Sequence, residues 1–147
     1  MHLSSAAKRC LRGFTLVEVL ASVTIIGILV FLAIPNIISV RKDTEENMAI
    51  ARAEALNMAI SSYIQANGFQ NAKTSWNGVS GNNNGEKDGK RYALIQPYLS
   101  YAPASLGAFM PSGYSADLPD DLAALSKVDI YRPNAANPSS LGTKIEY

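Results

Sequence analysis

The sequence predicts an α+β protein in which a long N-terminal helix, part transmembrane and part amphipathic, precedes a small C-terminal head of short helices and a small antiparallel sheet. An apolar run at residues 14–34 contains a single charged residue. A helical period continues from this run to residues 67–68 without a turn signal. Near the end of the chain, two short segments, 128–131 and 143–147, alternate apolar and polar residues, as strands do.

Residues 1–13 are predicted to be a short basic leader that ends at Gly13. Its positive charge comes from three side chains: Lys8, Arg9 and Arg12. By the positive-inside rule these charges should hold the N-terminus in the cytoplasm, so that the C-terminal part faces outward. Arg41 and Lys42, on the far side of the apolar run, weaken this bias.

The only cysteine, Cys10, and the only histidine, His2, both lie in the leader. A protein without the leader would form no disulfide and would lack a histidine base and the side chains most used to bind zinc. We therefore expect no zinc enzyme and no Ser-His-Asp hydrolase, whereas carboxylate or lysine chemistry is not excluded by these absences. The remaining chain would carry 10 of the 13 basic side chains against 12 acidic ones, so no basic patch for nucleic acid is expected.

Residues 14–35 are predicted to be the transmembrane part of the helix. The apolar run would extend about 32 Å at about 1.5 Å per residue, enough to cross a hydrocarbon core of about 30 Å. A cleaved secretory signal is the alternative, but its apolar stretch is shorter and ends in a small-x-small site. The best such cut here, after Ala33, has the bulky Phe31 before it and Pro35 close behind.

Glu18 is the single charge inside the apolar run. A charge at the bilayer centre costs at least about 2.5–3.5 kcal/mol, so an ionisable residue there is a functional hypothesis in itself. The alternative is that Glu18 lies near the membrane interface, where it pairs with its own N-terminus or snorkels.

Residues 36–66 are predicted to continue the helix as its amphipathic part. Apolar residues recur there at steps of three and four: Met48, Ala51, Ala55, Leu56, Met58, Ala59 and Tyr63. Residues 67–147 are predicted to form the head, beginning with a helix stop at Asn67-Gly68. The Gly-, Asn- and Ser-rich stretch 67–90 predicts a long surface loop.

Within the head, Trp76 is expected to tack this loop down, with a partner contact as the alternative. Residues 91–101 predict a short helix, and the apolar segment 122–125 predicts another. The segments 128–131 and 143–147, joined by a Pro- and Asn-rich linker, predict a terminal β-hairpin in a sheet of two or three strands.

Three acidic residues precede the segment 122–125: Asp117, Asp120 and Asp121. The favoured interpretation is that they complement the start of a short helix. Calcium binding is the alternative, since calcium takes several oxygen ligands, but the spacing matches no calcium loop that can be defended. No cofactor is otherwise expected.

A family resemblance begins at residues 13–18, which read GFTLVE. They resemble the processing site of type IV pilins and of the pseudopilins of type II secretion systems. The resemblance continues to Gly27 and Pro35, covers roughly the first 50 residues and is faint beyond. It implies a pilin-like fold and a membrane peptidase that cuts between Gly13 and Phe14 and N-methylates Phe14.

The resemblance implies a structural role as a subunit of a pilus-like filament, and no enzymatic activity. The freed amine of Phe14 would be largely protonated at neutral pH, and Glu18 lies one helical turn away. Docking this amine against Glu18 of a neighbouring subunit would give each of the two charges an oppositely charged partner within the lipid. At about 4 Å the gross attraction is about 4 kcal/mol at an effective dielectric of 20. The pair can form at only one axial offset between the helices of neighbouring subunits, so Glu18 would fix that offset.

Gly27 and Pro35 are predicted to make the helix irregular, since glycine costs about 1 kcal/mol relative to alanine and proline removes a hydrogen bond. The resemblance implies that this stretch loses helical structure on assembly. The alternative is a simple bend in a transmembrane helix, where both residues are tolerated.

The resemblance also implies partners and a location. The expected partners are further copies of the chain, other pilin-like subunits, a prepilin peptidase and methylase, an inner-membrane assembly platform and the lipid bilayer. The expected location is the bacterial inner membrane, followed by a periplasmic or cell-surface filament. The sequence leaves open pilus, secretion pseudopilus or DNA uptake. The alternative from another class is a non-polymerising, single-pass membrane-anchored extracytoplasmic binding protein.

Overall fold

The computed structural model describes residues 13–124, 126–134 and 141–147. The described chain divides into two units, the first ending at Arg41 and the second covering Lys42–Tyr147. The expectations for the leader up to residue 12, and for most of the linker between the last two strands, lie outside the described residues.

The first helix, α1, covers Leu16–Asn67 and remains helical through both Gly27 and Pro35. It ends because Gly68 has a φ of +74°, a backbone conformation that glycine adopts without the steric cost of a Cβ. The predicted helix and its predicted stop are both confirmed.

In the second unit, α1 buries one stripe of side chains at steps of three and four: Ala49, Ala53, Leu56, Ala59, Ile60 and Tyr63. Met48 and Met58, which the sequence pattern included in the apolar arc, are exposed. The arc predicted from sequence is therefore wider than the face that packs on the head. The small alanines allow the head to approach the α1 backbone closely.

The stretch 67–90 is not the long surface loop that its composition predicts. It contains α2, Phe69–Asn77, and most of α3, Asn84–Ile95. Only residues 78–83 between them are outside helices. The loop prediction is wrong because tertiary packing overrides the weak local preference of polar residues and glycine for turns.

Two local features explain how these helices form. Trp76 anchors α2, since its side chain is fully buried and its Nε1 donates to the Pro119 carbonyl at 2.7 Å. Asn83 caps α3, since its side chain accepts from the Glu86 backbone N–H at 2.9 Å, and Glu86 reaches back to the N–H of Asn82 at 3.0 Å. The asparagine run thus starts a helix, and the prediction that Trp76 tacks this segment down is confirmed.

The rest of the head is built from short elements. A 3-10 turn at Gln96–Tyr98 follows α3, and α4 covers Leu106–Phe109. The helix predicted at 91–101 is thus the end of α3 and its turn. A second 3-10 turn covers Leu122–Ala124, where the sequence predicts a short helix over 122–125, and residue 125 lies outside the described residues.

Among the described residues, three short antiparallel strands form one sheet in the order β1 (Ser115–Asp117), β2 (Asp129–Tyr131) and β3 (Lys144–Ile145). Ile130 pairs with Ala116 on one side and with Ile145 on the other. The predicted hairpin is β2 with β3, and the α+β class is confirmed. β1 was missed, because three residues that include no alternation of large apolar side chains give no strand signal.

Candidate processing and assembly site

The first turn of α1 is held by a reciprocal contact between Thr15 and Glu18. Thr15 Oγ1 accepts a hydrogen bond from the Glu18 backbone N–H at 3.2 Å. The Oε2 atom of Glu18 lies 3.5 Å from both the backbone N and the Oγ1 of Thr15. This Thr-x-x-Glu arrangement is a capping box, which satisfies helix N–H groups that have no partner inside the helix. At 3.5 Å the return contacts are long, so they hold the carboxylate only weakly.

The residues predicted for processing and assembly lie side by side. Gly13, Phe14, Thr15 and Glu18 line one open cleft of about 520 Å³. Phe14 is 83% exposed, and a Cβ added at Gly13 would meet no atom of the described residues within 4 Å. The peptide bond between Gly13 and Phe14 and the Glu18 carboxylate are therefore both open to another molecule.

The capping box is a feature that the sequence reasoning missed, although its signal was present. A Thr or Ser three residues before a Glu, at the start of an apolar helical run, is a sequence signature of a helix N-terminus. In the sequence, Thr15 stands out only as part of the processing motif. The structure gives Thr15 a separate role as the residue that orients Glu18 within a single molecule.

The helix that follows this cleft is exposed on all sides within one molecule. Every residue from 13 to 45 is exposed, including all the large apolar side chains of the run. α1 contains a stretch long and apolar enough to cross a membrane by length and composition. An apolar surface of this size is found where lipid or protein covers it.

Polar side chains in the apolar run bond within the helix. The Ser22 hydroxyl donates to the Glu18 carbonyl at 2.7 Å, and the Thr24 hydroxyl donates to the Leu20 carbonyl at 2.8 Å. Such internal bonds are what a polar group needs in a lipid environment. The Glu18 carboxylate, with its two long contacts, is much less well satisfied.

At Gly27 the structure finds no close approach that would require a glycine, since an added Cβ would meet nothing within 4 Å. Pro35 lies inside α1 without interrupting it. Because proline has no N–H, one carbonyl in the preceding turn lacks its helical donor. Unwinding of this stretch on assembly stays a prediction.

In the head, the three aspartates considered as calcium ligands have different partners. Asp120 Oδ1 accepts from Arg91 Nη1 at 2.8 Å. Asp121 Oδ1 accepts from the Ala123 N–H at 2.9 Å and from Asn77 Nδ2 at 2.8 Å, and these bonds hold the pKa of Asp121 below its usual value. Asp117 belongs to β1.

The capping interpretation is therefore right for Asp121 and wrong for Asp117, which lies in a strand before the turn. Within residues 13–124, 126–134 and 141–147, the structure shows no group of three or more Asp, Glu, His or Cys side chains placed to hold a metal ion. The calcium alternative has no support from this arrangement.

The fold and the cleft define an α+β protein with an exposed, membrane-type N-terminal helix whose first turn carries one carboxylate. Residues 8–34 match the family model of the prokaryotic N-terminal methylation motif. The chain therefore carries the signature of type IV pilins and pseudopilins, proteins that are structural and generally not enzymes. No curated protein and no solved structure matches the chain.

Proposed function

We propose that this protein is a structural subunit of a type IV pilus-like filament, either a pilin or a pseudopilin. One observation carries the proposal: the N-terminal methylation motif at residues 8–34 overlaps an exposed apolar helix whose first turn holds a lone glutamate. The motif supports a pilin-type precursor. The exposed helix supplies the surface through which subunits would pack.

In this proposal the prepilin peptidase removes residues 1–13 and methylates the amine of Phe14. Residues 14–35 then anchor the subunit in the membrane, residues 36–66 continue the helix and residues 67–147 form the head. Two features support access for the peptidase: Phe14 is exposed, and Gly13 has no side chain and, in the part of the chain that the structure describes, no atom within 4 Å of an added Cβ.

Assembly proceeds through the Phe14 amine of one subunit and the Glu18 carboxylate of another. Both groups line the same open cleft, so both are within reach of a neighbouring subunit. The contacts that Glu18 would give up are the long ones to Thr15, at 3.5 Å. At about 4 Å the ion pair would be attracted by about 4 kcal/mol, before desolvation, at an effective dielectric of 20, whereas the contacts given up are two long hydrogen bonds.

Before assembly the subunit resides in the bacterial inner membrane with its N-terminus in the cytoplasm and its head outside. Its partners are the bilayer, an assembly platform, other pilin-like subunits and further copies of itself. In the filament, periplasmic or on the cell surface, neighbouring helices replace lipid around α1. Shape complementarity between helices then takes over from the bilayer in covering the apolar side chains.

Mass spectrometry of the protein purified from membranes tests the processing step. We expect a chain that begins at N-methylated Phe14. An intact Met1 would instead support a membrane-anchored binding protein that never polymerises. Expression without the peptidase is the control, and it should leave the chain uncut.

Disulfide crosslinking tests the register. A Phe14 amine docked on Glu18 of a neighbour offsets the two helices by four residues, so residue 17 of one subunit lies level with residue 21 of the other. These residues follow Phe14 and Glu18 by three positions, so they share the contacting faces. Because the only cysteine, Cys10, is in the leader, engineered cysteines would be the only thiols in the processed protein. Coexpressed Val17→Cys and Ala21→Cys subunits should crosslink to each other more than Val17→Cys subunits do among themselves. Equal yields would contradict the register.

A further inference from the structure

An open groove of about 430 Å³ lies between the C-terminal part of α1 and the segment 98–101 of the head. Its lining is mainly apolar and aromatic, and two of the lining residues are strongly exposed: Met58 at 71% and Tyr101 at 68%. Exposed apolar side chains grouped around a groove are typical of a surface that contacts another molecule, and Met, Tyr and Arg are enriched in contacts between proteins.

Among the described residues that line the groove, only Arg52 is charged. Its Nη1 atom donates to the Phe109 carbonyl, and its guanidinium carbon lies 5.8 Å from the centre of the Phe109 ring. Both partners are neutral, and Arg52 forms no ion pair within the part of the chain that the structure describes. The guanidinium has five N–H groups in a planar fork that matches a carboxylate. The groove therefore fits an apolar partner that carries a carboxylate.

α1 itself carries a carboxylate of this kind two positions further on. Glu54 is exposed and, among the described residues, forms no ion pair. Two positions correspond to about 200° around a helix, so Arg52 and Glu54 of one molecule lie on nearly opposite sides of α1 and do not face each other. Glu54 of one copy is free to approach Arg52 of another.

We propose that the groove receives α1 of a second copy of this chain, whose Glu54 pairs with Arg52. The contact uses different surfaces on the two copies, so it is heterologous and leaves one unused groove and one unused Glu54 at the ends of the pair. Heterologous contacts that do not close into a ring build open helical filaments. The inference rests on the proposed filament function and adds to it a contact outside the apolar run.

A bilayer matches this surface less well than a second copy does. Lipid that filled the groove and covered the adjoining side of α1 would bring Arg52 and Glu54 into hydrocarbon, where each charge is costly. A second copy supplies apolar cover and an opposite charge together. Met58 lies one turn after Glu54 and also lines the groove, so docking through either side of the contact covers it.

Hydrogen peroxide labelling of the wild-type protein tests the contact without any variant. Peroxide transfers one oxygen atom to the methionine sulfur, which gives the sulfoxide and water. Met58 should react readily in unassembled membrane subunits and at least about fivefold more slowly in purified filaments, because the reaction requires access to the sulfur. Met110, which is 4% exposed, is the internal control and should react slowly in both samples.

Two results of this labelling would overturn the proposal. The first is equal oxidation of Met58 in filaments and in unassembled subunits. The second is full protection of Met58 before assembly, which would place lipid or an unrelated partner in the groove. A wild-type protein that forms no filaments at all would instead overturn the proposed function, and this inference with it.

Charge reversal at Glu54 tests the pairing. Glu54→Arg should reduce incorporation into filaments by more than about tenfold, because it places two cations opposite each other across the contact. Since Glu54 is exposed, the head should keep its fold, which Trp76 fluorescence verifies. Glu146→Arg makes the same charge change at an exposed residue that does not line the groove, and it should assemble as the wild type does. Normal incorporation of Glu54→Arg, or an equal loss in both variants, would overturn the pairing.

Discussion

The two parts of α1 differ in what covers their apolar side chains. Between residues 14 and 34 the helix carries valine, isoleucine and leucine around its whole circumference, and all of these side chains are exposed. Between residues 49 and 63 only one stripe is buried, and half of that stripe is alanine. One helix therefore combines an exposed segment, residues 14–34, with a covered segment, residues 49–63, whose apolar stripe packs on the rest of the chain.

This difference indicates where each segment finds its packing partners. A stripe of small residues is matched by the head, whose core includes Trp76, Tyr92 and Ile95. A segment that is apolar all round has no inside face, so lipid or other molecules must supply its cover. The polar groups follow the same division, since Glu18 is weakly held within the molecule whereas Asn57, on the covered segment, bonds to the head.

The largest expected effect is on assembly. Glu18→Ala should retain processing and membrane insertion but reduce incorporation into filaments by more than about tenfold, because it removes one partner of the proposed ion pair between subunits. The measurement is the fraction of processed subunit in purified filaments, with mass spectrometry confirming the cut after Gly13. Thr15→Ala is the control that removes the capping box and keeps the carboxylate. Wild-type incorporation of Glu18→Ala would contradict the assembly role.

The next prediction compares the two segments of α1 by making the same substitution, leucine to alanine, in each. Leu56 is fully buried and Leu29 is 60% exposed. Leu56→Ala should lower the free energy of unfolding of the head by about 2–5 kcal/mol, through lost burial and a residual cavity. Leu29→Ala should leave it unchanged. Urea unfolding in micelles, followed by Trp76 fluorescence, gives both values, and equal losses would show that the segments do not differ as described.

Local signals carried most of what could be predicted from sequence. The apolar run, the helix stop at Asn67-Gly68 and the hairpin of β2 with β3 each rest on periodicity or turn residues within a short window. The processing motif at residues 13–18 is also local, and the matched methylation motif includes it. The Thr15–Glu18 capping box was equally visible but was not used.

Contacts between distant residues account for what could not be predicted. α2 is stabilised by Trp76 donating to the Pro119 carbonyl, 43 residues along the chain. β1 exists because Ala116 pairs with Ile130, and its own three residues carry no signal. Asp88 of α3 accepts a hydrogen bond from the Leu118 N–H, 30 residues along the chain, and no spacing in the sequence indicates this contact.

A smaller effect is expected from substitutions at two glycines, Gly27 inside α1 and Gly68 directly after its last residue. A Cβ would meet nothing within 4 Å at either Gly68 or Gly27, so only backbone conformation distinguishes them. Gly68→Ala should destabilise the head by about 1–3 kcal/mol, because its φ of +74° is strained for any residue with a Cβ. Gly27→Ala, in a helical conformation, should cause no loss. Differential scanning calorimetry of both variants checks this. If Gly68→Ala is as stable as the wild type, the positive φ of Gly68 does not explain why α1 ends there.

The smallest effect concerns a polar contact between the covered segment and the head. The Tyr147 hydroxyl donates to the Val128 carbonyl and accepts from Asn57 Nδ2 at 3.2 Å, while Asn57 Oδ1 accepts from the Val128 N–H at 3.0 Å. Tyr147→Phe should therefore lower the free energy of unfolding by about 0.5–1.5 kcal/mol, by leaving two partners of the hydroxyl unpaired. Tyr101→Phe, at an exposed ring, is the matched control and should change nothing. If the two variants unfold at the same urea concentration as the wild type, this network does not hold α1 to the head, and the buried apolar stripe alone accounts for that packing.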